Sequence, residues 1–313
     1  MVRMWRYGLA IRRKPHYAAI MNTESIASEL EDIDRWPLDR AVAAILDGQT
    51  RAVASVTRGH EAIAAAAADA AARLGTKGRI AYAGAGTSGR IGVQDGVELT
   101  PTFGWPENRL AFFLAGGPEA MMRAVEGAED DEPAGRAAVS GADLGPADVL
   151  IGIAASGRTP FTIGALREAR DLGALTIAIA NNPGCPLLEA GDHSILLDTG
   201  AEAIAGSTRL GAGTAQKAAL NALSTAIMLK LGLVYRGLMV NMRISNAKLH
   251  ERAIAMIERV AKVDTVRARE ALGMADGDIR LAVLVALGME RGGAELALTG
   301  DEPFDVLVAR HSG

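Results

Sequence analysis

The sequence holds a single cysteine, Cys185, so no internal disulfide can form. One unpaired thiol in 313 residues points to a reducing cytosol. Aromatic residues make up only 4%. The core must therefore be built from small and branched aliphatics, which lets helices pack closely. No apolar run approaches the roughly 20 residues needed to span a bilayer. Basic residues are not in excess: 33 Lys and Arg stand against 37 Asp and Glu, a formal net charge of -4. That is the wrong sign for a nucleic-acid binder, which must neutralise phosphates. The five histidines fall in no nucleophile–base motif, and there is no Gly-x-Ser-x-Gly elbow. Neither HExxH nor a Cys/His cluster occurs, so a metal is not indicated. A Walker A lysine is missing too, so a nucleoside triphosphate is not implied. What is present, 49% hydrophobic and 22% charged residues, excludes disorder and suffices for one large core or two modest ones.

The first 20 residues are basic, and their apolar stretch, 7–11, is too short for a secretory signal. Residues 1–21 are expected to form a disordered extension. From Thr23 onward, Ile26, Leu30 and Ile33 recur at i, i+4 and i+7 and predict a helix. Residues 38–46 continue at helical spacing. Residues 60–74 are Ala-rich and apolar on nearly every face, the mark of a helix packed on more than one side. Then the period changes. Short apolar runs at 79–83, 110–114, 149–154, 175–180 and 194–197 lack alternation and are interleaved with helical stretches such as 161–172. This predicts an α/β fold, a doubly wound parallel sheet flanked by helices on both faces. Helices are expected at 213–233, 246–263, 265–272 and 278–287. The chain thus divides into an N-terminal helical arm (22–69), a central α/β domain (70–235) and a small helical C-terminal unit (236–313).

Gly84-x-Gly86-x-x-Gly89 follows a strand and opens a helix, as a dinucleotide fingerprint does. The next strand, however, ends in Ala115-Gly116-Gly117-Pro118 rather than the acidic residue that holds a ribose. A partial repeat is more informative. Thr87-Ser88-Gly89-Arg90 is echoed by Ala155-Ser156-Gly157-Arg158-Thr159 at a second strand-to-helix turn. Each turn offers hydroxyls and a glycine where free N–H groups and the helix N-terminus favour an anion. Read singly, either is an ordinary N-cap with a turn glycine. Read as a pair, they indicate a small phosphorylated ligand. Proton transfer falls to carboxylates. Glu98, between Val97 and Leu99, lies close after the first loop, where apolar neighbours and a raised pKa would suit a general acid. The alternative is a partly exposed helix-end glutamate. Glu126, Glu129, Asp130, Asp131 and Glu132 form an acidic run that reads as a solvated face. His193 reads as a strand-end residue and Cys185 as a packed thiol.

Several longer segments carry a resemblance: GAGTSGRIGVQD (84–95), TPTFG (100–104), AGGPEA (115–120), AVEGAEDD (124–131), IGIAASGRTP (151–160), GSTRLGAGTAQK (206–217) and SNAKL (245–249). With the Thr23-Glu24 start, they make the chain similar to the N-acetylmuramic acid 6-phosphate etherase family of the sugar isomerase (SIS) superfamily. That resemblance implies a cytoplasmic homodimeric lyase. It would cleave the D-lactyl ether of a phosphosugar in peptidoglycan recycling and amino-sugar catabolism, with no metal or organic cofactor, no nucleic acid and no membrane. It implies Glu98 as the acid on the departing lactate oxygen and Glu129 as the second carboxylate, the candidate base. It further implies phosphate and substrate binding by Gly86, Thr87, Ser88 and Gly89, by Ser156, Gly157 and Thr159, and by Ser207. The sequence departs from the family pattern at Gly96, Val97, Leu99 and Thr100, and at Gly211, where a lysine is common. Two other readings share the fold: a phosphosugar aldose–ketose isomerase, and a non-catalytic sugar-phosphate sensor akin to glucokinase regulatory proteins.

Overall fold

The computed structural model describes residues 21–300 and 302–312, so the extension expected before Met21 lies outside the described residues. The chain opens with three short 3-10 turns, Asn22–Glu24, Ser28–Leu30 and Ile33–Arg35. The continuous helix expected from Thr23 is not formed. Its periodicity misleads because Ile26 is 70% exposed, and the segment is fixed instead by Thr23, which is buried and bonded to Asn182.

Helices α1 (Leu38–Arg58) and α2 (His60–Leu74) follow, then β1 (Ile80–Gly84), α3 (Gly86–Phe103) and β2 (Leu110–Leu114). Next come α4 (Glu132–Ser140), β3 (Val149–Ala154), α5 (Pro160–Asp171), β4 (Leu175–Ala180), α6 (Pro186–Ala190) and β5 (His193–Leu196). The long helix α7 (Gly211–Lys230) is followed by α8 (Ala247–Ala261), α9 (Thr265–Met274), α10 (Ile279–Ala286), α11 (Arg291–Thr299) and α12 (Phe304–His311).

All five strands are parallel, in the order β2-β1-β3-β4-β5. Every residue of β1, β3 and β4 is buried, which is why these runs show no alternation. One face packs on α2, α3 and α7 through Tyr82, Ile151 and Ile177, and the other on α4, α5 and α6 through Ala83, Leu150 and Leu166. A second hydrophobic cluster, including Ile254, Ile257, Val283, Leu284 and Leu307, gathers α8 to α12. The stretch between the two clusters runs along the end of α3. There Asn241 Nδ2 donates to the Phe103 carbonyl at 2.7 Å, and the Arg243 N–H to the Pro101 carbonyl at 3.2 Å.

Strand order reverses between β1 and β3. The chain leaves β1 toward β2 on one side, and leaves β3 toward β4 on the other. In open parallel sheets this switch point is where the crevice for a ligand forms.

A candidate sugar-phosphate site at the strand switch point

The two repeated loops both stand at that switch point. β1 and β3 are neighbours, with Gly84 opposite Ile153, so residues 85–89 and 155–159 emerge side by side. The first loop can only be tight with glycines. A Cβ on Gly89 would lie 2.3 Å from Leu114 Cδ1 and 2.8 Å from the Gly84 carbonyl oxygen. Gly157 has φ +64°, and a Cβ there would meet Cys185 Sγ at 2.0 Å. The buried thiol of Cys185 thus packs beneath the second loop, and burial pushes its pKa up.

Asp131, Asn246, Asp264, Asp278 and Glu290 cap α4, α8, α9, α10 and α11 with their side chains. Several helices start without a side-chain cap, α3 and α5 among them. The first N–H groups of α3, on Gly86, Thr87 and Ser88, therefore have no intrahelical acceptor and no cap. Ser88 is buried beside them. In the second loop, Ser156 Oγ accepts from the Arg158 N–H at 3.1 Å, which leaves its own O–H free to donate elsewhere. Thr159 stands half-buried at the start of α5. Such a pair of helix starts with hydroxyls has the donors that an oxyanion requires.

A third segment leans on the pair. Asn182 Nδ2 donates to the Ala155 carbonyl at 2.9 Å and to Thr23 Oγ1 at 3.0 Å, and the Gly206 N–H donates to the Thr23 carbonyl at 3.0 Å. Through Thr23 and Asn182, the stretch holding Ser207 is tied to the second loop. On the other side, a Cβ on Gly213 would touch Thr87 Cγ2 at 3.3 Å. Asn182 went unmarked in the sequence, although Asn181-Asn182-Pro183-Gly184 follows β4 just as the other two loops follow their strands.

Buried carboxylates hold α7 in place. Glu202 accepts from the Gly211 and Ala212 N–H groups, both at 2.8 Å, and so caps α7 from nine residues upstream. Gly211, the position of a lysine in the family pattern, faces this carboxylate: its Cβ would lie 3.1 Å from Glu202 Oε2. Asp95 accepts from Tyr82 Oη at 2.8 Å, Asn221 Nδ2 at 2.8 Å and Ser224 Oγ at 3.1 Å. Burial pushes its pKa up, against the lowering effect of those donors. The network locks α3 to β1 and α7. The Gly96 departure has a packing reason, since a Cβ there would meet the Phe112 ring at 2.5 Å.

Of the two catalytic candidates, Glu98 lies on α3 and Glu129 on the turn Ala128–Asp130, which packs against α5. Glu98 lies ten residues beyond Ser88, about 15 Å along the helix at 1.5 Å per residue. It is exposed, and Val97 beside it is 48% exposed. Leu99 turns inward, so the apolar residues flanking Glu98 in sequence do not enclose its carboxylate. Glu129 is exposed on the turn Ala128–Asp130, within the connection from β2 to α4. Among the described residues neither carboxylate has a side-chain hydrogen bond or ion pair. The rest of the acidic run is partly structural: Asp131 caps α4 and Glu132 pairs with Arg167 at 2.9 Å.

The geometry can be set beside known proteins. The family model for the glucokinase regulatory protein N-terminal SIS domain matches residues 61–170, and that for the SIS domain matches residues 132–226. The chain is 49% identical over 275 residues to a protein of Deinococcus radiodurans named N-acetylmuramic acid 6-phosphate etherase, covering 88% of this chain and 90% of that one. It is 46% identical over 213 residues to the protein of the same name from Erwinia tasmaniensis, covering 67% and 70%. Among solved structures, a phosphoheptose isomerase from Francisella tularensis aligns at TM-score 0.44 and 17% identity, over 62% of this chain and 99% of that one. At half identity along nearly its whole length, the chain belongs to the N-acetylmuramic acid 6-phosphate etherase family.

Proposed function

We propose that the chain is a carbon–oxygen lyase that converts N-acetylmuramic acid 6-phosphate into N-acetylglucosamine 6-phosphate and D-lactate. That places it in peptidoglycan recycling. The observation that supports this most is the pair of uncapped, hydroxyl-bearing helix starts at the β1/β3 switch point, in a chain of this family. In this reading Gly86, Thr87, Ser88 and Gly89, with Ser156, Gly157, Thr159 and Ser207, hold the 6-phosphate. Local N–H and hydroxyl groups must do so, because the net charge of -4 would not attract an anion.

The chemistry needs two proton transfers. In the open-chain sugar, C2–H is acidified by the C1 aldehyde. Glu129 removes that proton, and the electron pair forms the C2=C3 bond. The C3–O bond breaks as Glu98 protonates the departing lactate oxygen. Water then adds at C3, C2 is reprotonated, and the two carboxyl groups return to their starting states.

We further propose a homodimer working in the cytoplasm. Helix α1 leaves Leu38 80%, Val42 46% and Leu46 59% exposed along one stripe, which a second copy would cover. In this reading Glu98, exposed and about 15 Å from Ser88 along α3, serves a site between subunits. Among the described residues no helix is long and apolar enough to cross a membrane. The three-part division at 22–69, 70–235 and 236–313 remains our proposal, with α2 continuing to Leu74 on the sheet.

Purified protein given N-acetylmuramic acid 6-phosphate is expected to release lactate stoichiometrically with N-acetylglucosamine 6-phosphate, without added metal. Interconversion of aldose and ketose phosphates with no lactate would replace this reading with the isomerase. Tight phosphosugar binding with neither reaction would favour the sensor.

A further inference from the structure

The motif SNAKL at 245–249 takes no part in the site described so far, yet the fold brings the stretch before it to the last turn of α3, just beyond Glu98. The chain runs back along α3: Asn241 is bonded at Phe103, Arg243 at Pro101, and Ser245 follows. Pro101 sits three residues beyond Glu98 on the same helix, a neighbouring position about 60° around and one turn along. Beside it opens a cavity of about 610 Å³, walled by Val97, Pro101, Leu110 and Phe112, with Thr100, Glu107, Arg243 and Ser245 as its polar members. The Thr100 hydroxyl is buried there with no hydrogen-bond partner among the described residues.

We infer that Arg243 holds the carboxylate of the lactyl group while Glu98 protonates the ether oxygen. This rests on the etherase reading and deepens it. The lactyl carboxylate is only two bonds from the ether oxygen, so an acid that reaches the oxygen needs a cation close beside it. Without one, an incoming carboxylate would face Glu107, which lines the same cavity, and be repelled. Arg243 is anchored by its backbone at the right turn of α3, with its guanidinium free to move. Its partner is Glu107 at 3.2 Å, with the two side chains 67% and 76% exposed. An ion pair so exposed contributes little and is easily exchanged for a ligand carboxylate. Val97, Pro101 and Phe112 offer the apolar wall for the lactyl methyl. The acid and the carboxylate holder thus travel together on one protomer, whichever subunit supplies the phosphate loops. No step beyond the elimination already written is required: Arg243 donates hydrogen bonds and transfers no proton.

The test compares N-acetylmuramic acid 6-phosphate with its lactyl amide, which keeps the shape and removes the charge. Wild-type protein is expected to prefer the carboxylate by about 10–100-fold in kcat/KM, the worth of a charged hydrogen bond. In Arg243→Ala that preference collapses to within a few-fold, because only the charged substrate slows. Arg243→Lys recovers part of it. Equal losses on both substrates would mark Arg243 as merely structural and overturn the assignment, as would a variant that keeps the full preference. If the wild-type protein releases no lactate at all, the etherase reading falls first, and this assignment with it.

Discussion

Glu98→Gln is expected to fold, to bind the phosphosugar with little change, and to lose lactate release by about 10²–10⁴-fold. The reasoning is chemical. An alkoxide is a poor leaving group, so the ether oxygen must receive a proton as C3–O breaks. Glutamine keeps the size and hydrogen-bonding reach of the side chain but has no proton of suitable acidity to give. Its side chain is exposed and has no hydrogen bond or ion pair among the described residues, so its replacement removes no such contact there. Steady-state kinetics with a thermal melt separates the possibilities. A collapse in kcat with unchanged melting supports the acid role, and near-normal turnover would remove Glu98 from it.

Glu129→Gln is expected to fall by a comparable factor, about 10²–10⁴, but at a different bond. Its signature is isotopic. In deuterated water the wild-type protein should place deuterium at C2 of the sugar. The variant should do so at a rate reduced in step with lactate release. Intact exchange in Glu129→Gln would mean that another group takes the C2 proton. Glu98→Gln provides the contrast, since C2 exchange can continue there while elimination stalls.

Much of this architecture is legible from residues alone, because the informative signals are local. Five unalternating apolar runs foretell a sheet buried on both faces, and β1 to β4 are found within a residue of the expected runs. The Ser-Gly repeat after two of the strands marks the two loops that meet at the strand switch point, since the loop, its glycine and the helix that follows are contiguous in sequence. Failures come where distance decides. Ile26, Leu30 and Ile33 mimic a helix, but bonds from Thr23 to Asn182, 159 residues away, dictate the path instead. Glu202 as the cap of α7, and Asp95 as the buried acceptor of three donors, have no local signature. For Glu98, apolar neighbours in sequence do not become apolar surroundings, because a helix turns about 100° per residue and sends Leu99 inward while Glu98 points out. Gly96 reads as a loss against the family pattern until the Phe112 ring is seen filling its place.

The claim that joins these observations is that C3–O, and not the bond to the lactyl carbon, is broken by elimination and remade with water. Turnover of N-acetylmuramic acid 6-phosphate in ¹⁸O-labelled water reads this directly by mass spectrometry of the two products. The predicted result is one heavy oxygen at C3 of N-acetylglucosamine 6-phosphate and none in lactate. Heavy oxygen in the lactate hydroxyl, with the C3 oxygen unlabelled, would contradict the mechanism assigned to Glu98 and Glu129.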